Sequence, residues 1–592
     1  MLVEHPGDRS HAHARRPGHV MDRLESFWRQ ASILPQDPSC ISHWNRLHSG
    51  VSCFAGGIEM GWLLRGCGVF ALSFLLTALQ AANFNVRNYG AKGDGAAKDT
   101  AAFQKAIDAA AAEGGGTVWV PAGRYLCGTI HLKSFVTLHL DNGSVILASP
   151  DNADFDPYET LPFKSVSDNE TTYFHYGLVT ADNAQHIAIT GQGVIDGNRT
   201  RRRGPKTVAI KNCQYVTIRG ITVQNSPNYS ISFWGSDYVD IDGVTILNGY
   251  ADGIDPDASR YVRISNCYID CFDDAICPKA SPSMGMGQRR NVEHLVVTNC
   301  VTRTNCSNFK FGTESSWDLK DVTVSNITMM PRDKGRPPIS GISLESVDGA
   351  HINGVVVSNI SMVDVQTPIF VRLGNRGRGM DPPTPGSVEN VLINNIVARG
   401  ATMTSSVTGI PGHAPRRIAL SNIMITMAGG NQDPKGLDVP EHISKYPEGT
   451  MFGTLPAFGL YARHVEGLAL SNAQLRWDKE DLRPAMIFDD VKDLTLDGFR
   501  TDTVAGSSPV LWLNNVVDAF IRGSRTASAG TFLRVSGAAS GRILLAGNDL
   551  SRAERRIEQL GAPKSAVQET GNAVSATPHQ AAKKTSLGGR QK

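Results

Sequence analysis

The sequence predicts an all-β protein: a right-handed parallel β-helix of about ten coils with an N-terminal capping helix. One observation is a repeated template of an alternating strand, a corner residue and a second strand, as in VTIRGITV, VDIDGVTI, VRISNCYI and VLINNIVA. A second is the corner itself, which is Gly in early copies and Asn in later ones. Such a recurrence predicts coils that stack in parallel, and the usual hand of parallel crossovers makes the helix right-handed. The corners are Gly191, Gly220, Gly243, Asn266, Asn299, Asn326, Asn359, Asn395, Asn422 and Asn472.

The spacing of the corners sets the size of a coil. Gly220, Gly243 and Asn266 follow one another at steps of 23 residues, and later steps are longer because of insertions such as SPSMGMGQRR and PRDKGRPP. Asn tolerates the left-handed backbone that a corner needs, and its amide can hydrogen-bond to the Asn of the next coil. We therefore expect a ladder of asparagine side chains along the helix.

A helix is predicted ahead of the first coils. Asp99 is expected to cap a helix from about Thr100 to Ala112, which the glycines at 114–116 end. One face of this segment is apolar, as a helix that covers the end of a coil requires. The apolar positions are Phe103, Ala106, Ile107 and Ala110.

Length and charge restrict the function class. The chain has 592 residues and a formal net charge of +2, so its charge gives no argument for a nucleic-acid partner. Solenoids grow without adding cores, so a chain of this length does not require several domains. We expect a monomer without a nucleic-acid partner.

The N-terminal residues predict export. Residues 60–82 have the layout of a signal peptide, with one Arg, an apolar run and then small residues. Since a signal peptide must lie at the terminus, residues 1–59 are interpreted as a non-native or disordered extension. The β-helix domain is expected at 83–562, and a polar, disordered tail at 563–592. The mature protein is predicted to be secreted or periplasmic and, once the signal is cleaved, free of the membrane.

Seven cysteines follow the signal segment, at 127, 213, 267, 271, 277, 300 and 306. Cys267 and Cys300 each follow an Asn at the end of a strand. Stacking as small apolar side chains inside the coil is the favoured interpretation, and a disulfide is the alternative. We expect no metal site and no cofactor.

Three carboxylates stand out from the strand pattern. Asp252 and Asp274 are 22 residues apart, close to one coil, so they would lie on one wall with strands about 4.8 Å apart. Clustered carboxylates suit glycoside hydrolysis, in which one acts as general acid and another activates water. Turn aspartates are the alternative, and they account for residues 255–257. They do not account for Asp273 and Asp274, which no turn signal follows.

The motifs ADGIDP and FDDAICPK at this spacing resemble the NTDG and DDCIxxK motifs of family 28 glycoside hydrolases, the polygalacturonases and their relatives. The resemblance extends from about Asn85 to about Asn548. It implies that Asp273 is the general acid and that Asp252 and Asp274 activate water, in an inverting reaction without a metal.

The chain departs from that family at two motifs. The GHG histidine should fall near Ser307, where the chain has CSNFKFGTES. The Arg and Lys of the RIK motif, which grip a substrate carboxylate, should fall at Ser343 to Glu345, within SGISLES. The resemblance therefore supports the chemistry more strongly than the substrate.

Six further residues are candidates for substrate binding. Counting from the corners predicts that Tyr229 and Asn308 share a face with Asp252 and Asp274. The other four are cations close to this face or at a later strand end, and a solvated surface role is the alternative for each. The full set is Tyr229, Lys279, Asn308, Lys310, Arg372 and Arg376.

Together these features predict a secreted glycoside hydrolase that acts with inversion on pectin-type polysaccharides or oligosaccharides. A polysaccharide lyase on the same coil and a catalytically inactive carbohydrate-binding β-helix are the alternatives.

Overall fold

The computed structural model describes residues 83–433, 436–505 and 509–575. The predicted extension 1–59 and signal peptide 60–82 lie outside the described residues. Within the described ranges, no helix combines the length and apolarity needed to cross a membrane.

The chain forms a right-handed parallel β-helix, as the repeat predicts. We name its three sheets A, which precedes the corner, B, which follows it, and C, which completes the coil. Sheet A contains Asn83–Asn85, Gly116–Val120, Val136–Leu140, Gln185–Gly191, Gln214–Arg219, Asp237–Asp242, Arg260–Ser265, Val292–Thr298, Val517–Arg522, Gly541–Ala546 and Val567–Thr570. Sheet B contains Asp94–Lys98, Gly123–Cys127, Ser144–Ala148, Val194–Asp196, Thr222–Gln224, Thr245–Gly249, Tyr268–Cys271, Val301–Thr304, Arg500–Thr501 and Arg525–Thr526.

Some strands pass through a corner without interruption. Strands that span sheets A and B are Leu319–Pro331, His351–Val363, Ser387–Ala401 and Arg416–Gly429. Leu460–Lys479 runs through C, A and B, and Met486–Asp497 through C and A. The other strands of sheet C are Ile130–His131, Gly177–Asp182, Lys206–Lys211, Ile231–Trp234, Ile254–Asp257, Ser307–Lys310, Ser340–Ser346, Thr367–Leu373, Ser405–Thr408, Leu511–Asn514, Ala529–Ser536 and Ala553–Leu560.

The corner asparagines form the expected ladder. Each one from Asn266 to Asn472 is left-handed, with φ between 49° and 58°. From Asn299 onward each side-chain amide donates to the Asn of the previous coil, at 2.8–3.4 Å. The ladder thus pairs exposed amides coil by coil.

The core fills the inside of the coil. Apolar residues at the same register stack above one another, and in sheet C the stack Ile231, Ile254, Ile276, Phe309 and Ile342 is fully buried. The seven described cysteines are free and buried, which agrees with stacking rather than with a disulfide.

The capping helix spans Thr100–Ala112 and buries its predicted apolar face. Asp99 stands at the N-cap position, but its carboxylate makes no capping bond. It accepts hydrogen bonds from the amides of Lys92 and Gly93, at 2.7 and 3.0 Å. The predicted cap is therefore wrong in its chemistry, because the preceding loop competes for the carboxylate. The other helical segments are Asn169–Thr172 and three 3-10 turns, Val86–Tyr89, Asn152–Asp154 and Lys564–Ala566.

The stack of coils continues beyond the ten marked repeats at both ends, from Asn83 to Thr570. The boundary predicted at 563 is therefore wrong, because Val567–Thr570 pairs in parallel with Gly541–Ala546. The polar composition of this last strand hid it from the sequence pattern. Residues 576–592 of the predicted tail lie outside the described residues.

Candidate active site

Three polar side chains share one register position just ahead of sheet C. Ile231 pairs with Ile254, and Ile254 with Ile276, so the residues two positions earlier are aligned. Those residues are Tyr229, Asp252 and Asp274. The predicted column of these three residues is therefore present.

The coil that carries Asp273 and Asp274 is irregular. Its sheet B strand ends at Cys271, a bend follows at Phe272 and Asp273, and single bridges at Ile276 and Lys279 replace a strand in sheet C. Neighbouring residues of a straight strand point to opposite faces, but this bend turns both carboxylates to one side. One carboxylate oxygen of Asp273 lies within 4.8 Å of one of Asp274.

A pocket opens at this bend. It includes the three aspartates together with Tyr229, Lys279 and Lys310, as the sequence predicts, and it adds residues from distant loops. Its lining consists of Asp168, Glu170, Arg202, Tyr229, Asp252, Asp273, Asp274, Cys277, Lys279, Lys310, Gly312, Thr313, Glu314 and Tyr446. Among these described residues there is no histidine, in agreement with the lost GHG motif.

Lys279 holds one group of this pocket together. Its Nζ lies 3.2 Å from Asp252 Oδ2 and 2.7 Å from Asp255 Oδ1, and it donates to the Tyr229 hydroxyl at 2.8 Å. Burial and the neighbouring charge of Asp255 raise the pKa of Asp252 well above its ordinary value. Although burial opposes its charge, the two carboxylates raise the pKa of Lys279. One ammonium thus faces two carboxylates, and Asp252 is the one that favours a proton.

Lys310 forms a second buried pair. Its Nζ lies 3.1 Å from Asp274 Oδ2 and 3.2 Å from the hydroxyl of Tyr446. Burial raises the pKa of Asp274, but the Lys310 charge and the hydrogen bonds to the carboxylate outweigh it and lower that pKa overall. The Ser307 amide donates one of these bonds, at 3.0 Å. Asp274 is therefore held ionised beside Asp252.

Asp273 has a different partner. The Arg202 guanidinium donates to its Oδ2 and also grips Glu170 through Nε, at 3.0 Å and 3.1 Å from the two carboxylate oxygens. Arg202 comes from the irregular segment 197–205, and its side chain is 42% exposed. Each of the three aspartates therefore has its own cation.

The rim beside Arg202 is acidic. Glu314 accepts hydrogen bonds from the Asp168 amide and the Thr171 hydroxyl, both at 2.7 Å. Arg378 bridges Glu314 and Asp168 from outside the pocket, at 2.6 Å to each. Burial raises the pKa of Glu314.

The prediction for Asn308 is wrong. Phe309, not the residue after it, pairs with Ile276, so Ser307 stands in the column and Asn308 points into the coil. There it is fully buried, accepts from the Thr302 hydroxyl at 2.9 Å and donates to the Ser340 carbonyl at 3.4 Å. Ser307 stands eight residues after its corner, as Asp274 does, whereas Asp252 stands nine residues after its own. The pairing register shifts between Ile246 and Gly249, and counting from the corners does not detect this shift.

The prediction for Arg372 is also wrong. Its side chain is buried and donates to backbone carbonyls, with Gly409 at 2.8 Å and Glu441 at 2.7 Å. It anchors the long insertion that follows Gly429, because guanidinium donors suit unpaired loop carbonyls.

Arg376 does not line the pocket. It pairs bidentately with Asp348, with Nε at 2.9 Å from Oδ1, and its guanidinium lies 5.5 Å from the Tyr446 ring. It therefore supports a wall of the pocket, and its contact with substrate stays a prediction.

The positions expected for the RIK cations lie on the buried strand Ser340–Ser346. Ser343 pairs in register with Lys310 and donates to Glu345 Oε1 at 2.5 Å. Burial raises the pKa of Glu345 to about 7. Lys310, on the preceding coil, thus lies beside Ser343, where the motif would have a cation.

Sequence reasoning missed several pocket residues. Arg202, Glu170, Glu314 and Tyr446 come from insertions that carry no repeat signal. Asp255, interpreted as a turn aspartate, lies in the buried strand Ile254–Asp257 instead. Its only sequence signal was its place three residues after Asp252.

Within the part of the chain that the structure describes, two groups of side chains have the donor set for a metal: Asp252, Asp255 and Cys277, and Asp273, Asp274 and Cys306. Lys279 and Lys310 already lie against carboxylates of these groups. Burial raises the pKa of both thiols, which disfavours the thiolate that a metal binds. The ammonium groups of Lys279 and Lys310 thus occupy the positions beside these carboxylates.

The family profile of glycosyl hydrolases family 28 matches residues 117–444, more than half of the chain. The chain belongs to glycosyl hydrolase family 28. By its family it is an O-glycosyl hydrolase. A probable polygalacturonase from Vitis vinifera is 26% identical over 429 residues, which cover 68% of this chain and 86% of that protein. An exo-poly-alpha-D-galacturonosidase from Dickeya chrysanthemi is 24% identical, over 56% of this chain and 65% of its own.

A solved structure supports the fold of this family 28 member. The hyperthermoactive exopolygalacturonase from Thermotoga maritima superposes with a TM-score of 0.51 at 22% identity. The match covers 58% of this chain and 87% of that structure.

Proposed function

We propose that this protein is a secreted glycoside hydrolase that cleaves pectin-type polysaccharides or oligosaccharides with inversion. Asp273 is the general acid, and Asp252 and Asp274 together activate the water. Tyr229, Lys279 and Lys310 position these carboxylates. The names of the relatives support a pectic substrate.

One observation carries the proposal. Asp252 and Asp274 align on adjacent coils, and the bend at Asp273 brings a third carboxylate into the same pocket. A carboxylate pair suits glycoside hydrolysis when one member is ionised and another holds a proton. Asp274 meets the first condition through Lys310.

The acid step requires a rearrangement at Asp273. An arginine contact stabilises the ionised carboxylate, whereas a general acid must deliver a proton to the leaving oxygen. Arg202 therefore has to leave Asp273 and stay on Glu170 when substrate binds. Its exposed side chain can make this movement.

Export is part of the proposal. It is supported by the signal-like layout of residues 60–82. N-terminal sequencing of exported protein should begin near Asn83. A secreted species that retains residues from 1–59 would contradict the proposed start at Met60.

The reaction class is tested with a panel of pectic oligosaccharides. Reducing-end assays identify the cleaved bond, and proton NMR at early times identifies the anomer first formed. Inversion predicts the anomer opposite to the scissile linkage. An unsaturated uronide that absorbs in the ultraviolet, together with inhibition by a chelator, would instead indicate a lyase. Binding without turnover across the panel would indicate an inactive carbohydrate-binding protein.

A further inference from the structure

We infer that the pocket holds a glycosyl residue without a free carboxylate at the cleaved bond, and that Asp168, Glu170 and Glu314 disfavour a uronate there. This inference rests on the proposed function and specifies its substrate. The polymer can still contain uronates elsewhere, because the restriction concerns one sugar position.

The charged side chains that line the pocket leave no excess of positive charge. Six carboxyl groups line the pocket: Asp168, Glu170, Asp252, Asp273, Asp274 and Glu314. Three cations line it as well: Arg202, Lys279 and Lys310. Burial favours a proton on Asp252 and another on Glu314, and Arg378 pairs with Asp168 from outside the lining. The four remaining carboxylates therefore balance these four cations, and a uronate would enter a pocket that has no surplus positive charge.

Every cation that lines the pocket already contacts a carboxylate. Lys279 and Lys310 are nearly inaccessible to solvent, with side chains 6% and 3% exposed, and each contacts a carboxylate. Arg202 is accessible, but both of its partners are carboxylates of the same pocket. The proposed acid step already requires Arg202 to leave Asp273, and its transfer to a substrate uronate would also leave Glu170 without its cation.

The strand Ser340–Ser346, which should supply cations in the family, contains neither Arg nor Lys. Ser343 is neutral, and Glu345 adds a carboxyl group behind Lys310, with Oε2 lacking a hydrogen-bond partner among the described residues. The Lys310 charge lowers the pKa of Glu345 against the effect of burial, so the two groups interact. Lys310 therefore balances two carboxyl groups already.

An uncharged glycosyl residue can come from two sources, a neutral sugar or a uronate methyl ester. Three oligosaccharides of equal length distinguish them: an oligogalacturonide, its fully methyl-esterified form, and an oligosaccharide in which neutral sugars alternate with galacturonate. We expect kcat/KM for the best uncharged arm to exceed that for the free oligogalacturonide by about tenfold or more, from one like-charge contact.

The outcomes separate the two proposals. Fastest cleavage of the free oligogalacturonide would overturn the inference and leave the proposed function standing. If none of the three oligosaccharides is cleaved, the proposed function is overturned, and this inference with it. Faster cleavage of the ester or of the alternating oligosaccharide supports the inference and names the source.

A variant locates the effect in the pocket. Glu170→Gln removes one negative charge and frees part of the Arg202 fork, so the preference for the uncharged substrate should fall several-fold. Glu389→Gln is the matched control, because Glu389 also pairs with an arginine, Arg417, but lies on Ser387–Ala401 outside the pocket. An unchanged preference in Glu170→Gln, or an equal fall in the control, would contradict the assignment. High salt should weaken the preference in the wild type.

Discussion

The asparagine ladder and the catalytic pocket lie along the same helix, yet they use polar side chains in opposite ways. Ladder residues such as Asn326 and Asn359 are exposed and uncharged, and each repeats the contact of its neighbour. Pocket residues such as Asp252, Asp274 and Lys279 are buried and ionisable, and no two have the same set of partners. Repetition stabilises the scaffold, whereas departures from the repeat create the chemistry.

The largest expected difference concerns turnover. Asp273→Asn and Asp252→Asn should each lower kcat by about 10²–10⁴, as expected for loss of general acid or base catalysis. The loss in Asp273→Asn should shrink with substrates that carry good leaving groups, whereas the loss in Asp252→Asn should not. Steady-state kinetics on a leaving-group series measures both.

Asp242→Asn is the control on the ladder side, where Asp242 accepts from Asn266 at 2.7 Å. It should keep normal turnover. The reversed dependence on leaving group would exchange the roles of Asp252 and Asp273, and near-normal activity in either variant would remove that residue from the mechanism.

The contrast also explains what the sequence could predict. The ladder and the column of Asp252 and Asp274 repeat at coil spacing, so counting finds them. The Arg202–Asp273 contact spans 71 residues, and Lys310–Tyr446 spans 136, so no local pattern encodes them. Where the pairing register shifts between coils, as between Ile246 and Gly249, counting fails by one residue.

Removing one partner from a buried ion pair should destabilise the protein far more than removing one partner from an exposed ion pair. Lys310→Met leaves Asp274 as an unpaired buried carboxylate, which should lower the free energy of unfolding by about 3–5 kcal/mol. Adding Asp274→Asn should restore much of that stability and none of the activity. Urea titrations of the single and double variants measure the effect.

Lys133→Met is the matched control, since Lys133 pairs with Asp108 at 2.7 Å with both side chains about half exposed. It should cost about 0–1 kcal/mol. Equal losses for Lys310→Met and Lys133→Met would mean that the Lys310 pair is not buried in solution.

The pH dependence of kcat/KM should report the ionisation of Asp252, which lies in the cluster around Lys279. Water activation needs an ionised Asp252, whose pKa is raised by burial and by Asp255. Activity should therefore rise with pH through that raised pKa, above the ordinary value of about 4. Asp255→Asn removes one negative charge and leaves Lys279, so the pKa of Asp252 falls and the acidic limb of kcat/KM should move down by about one pH unit. Asp270→Asn is the control, because Asp270 lies in the strand Tyr268–Cys271 of the same coil and pairs with Arg332 outside the pocket lining, and it should leave the limb in place. A limb that does not move in Asp255→Asn would show that Asp252 does not control it.

The smallest change in the free energy of unfolding is expected for variants of the ladder. Two variants of Asn359 separate the contribution of its hydrogen bonds from that of its backbone conformation. Asn359 has φ of 58°, donates to Asn326 at 3.0 Å and accepts from Asn395 at 2.9 Å. Glycine adopts this conformation freely, so Asn359→Gly loses only the two hydrogen bonds, each worth about 0.5–1.5 kcal/mol at most when exposed. Asn359→Ala loses the same bonds and also pays about 1–2 kcal/mol for a left-handed backbone. The Ala variant should therefore be less stable than the Gly variant by that difference in urea titration, and both should keep wild-type turnover. Equal stabilities would mean that the corner relaxes its backbone when the amide is removed, and a loss of turnover in either variant would mean that the ladder and the pocket are coupled.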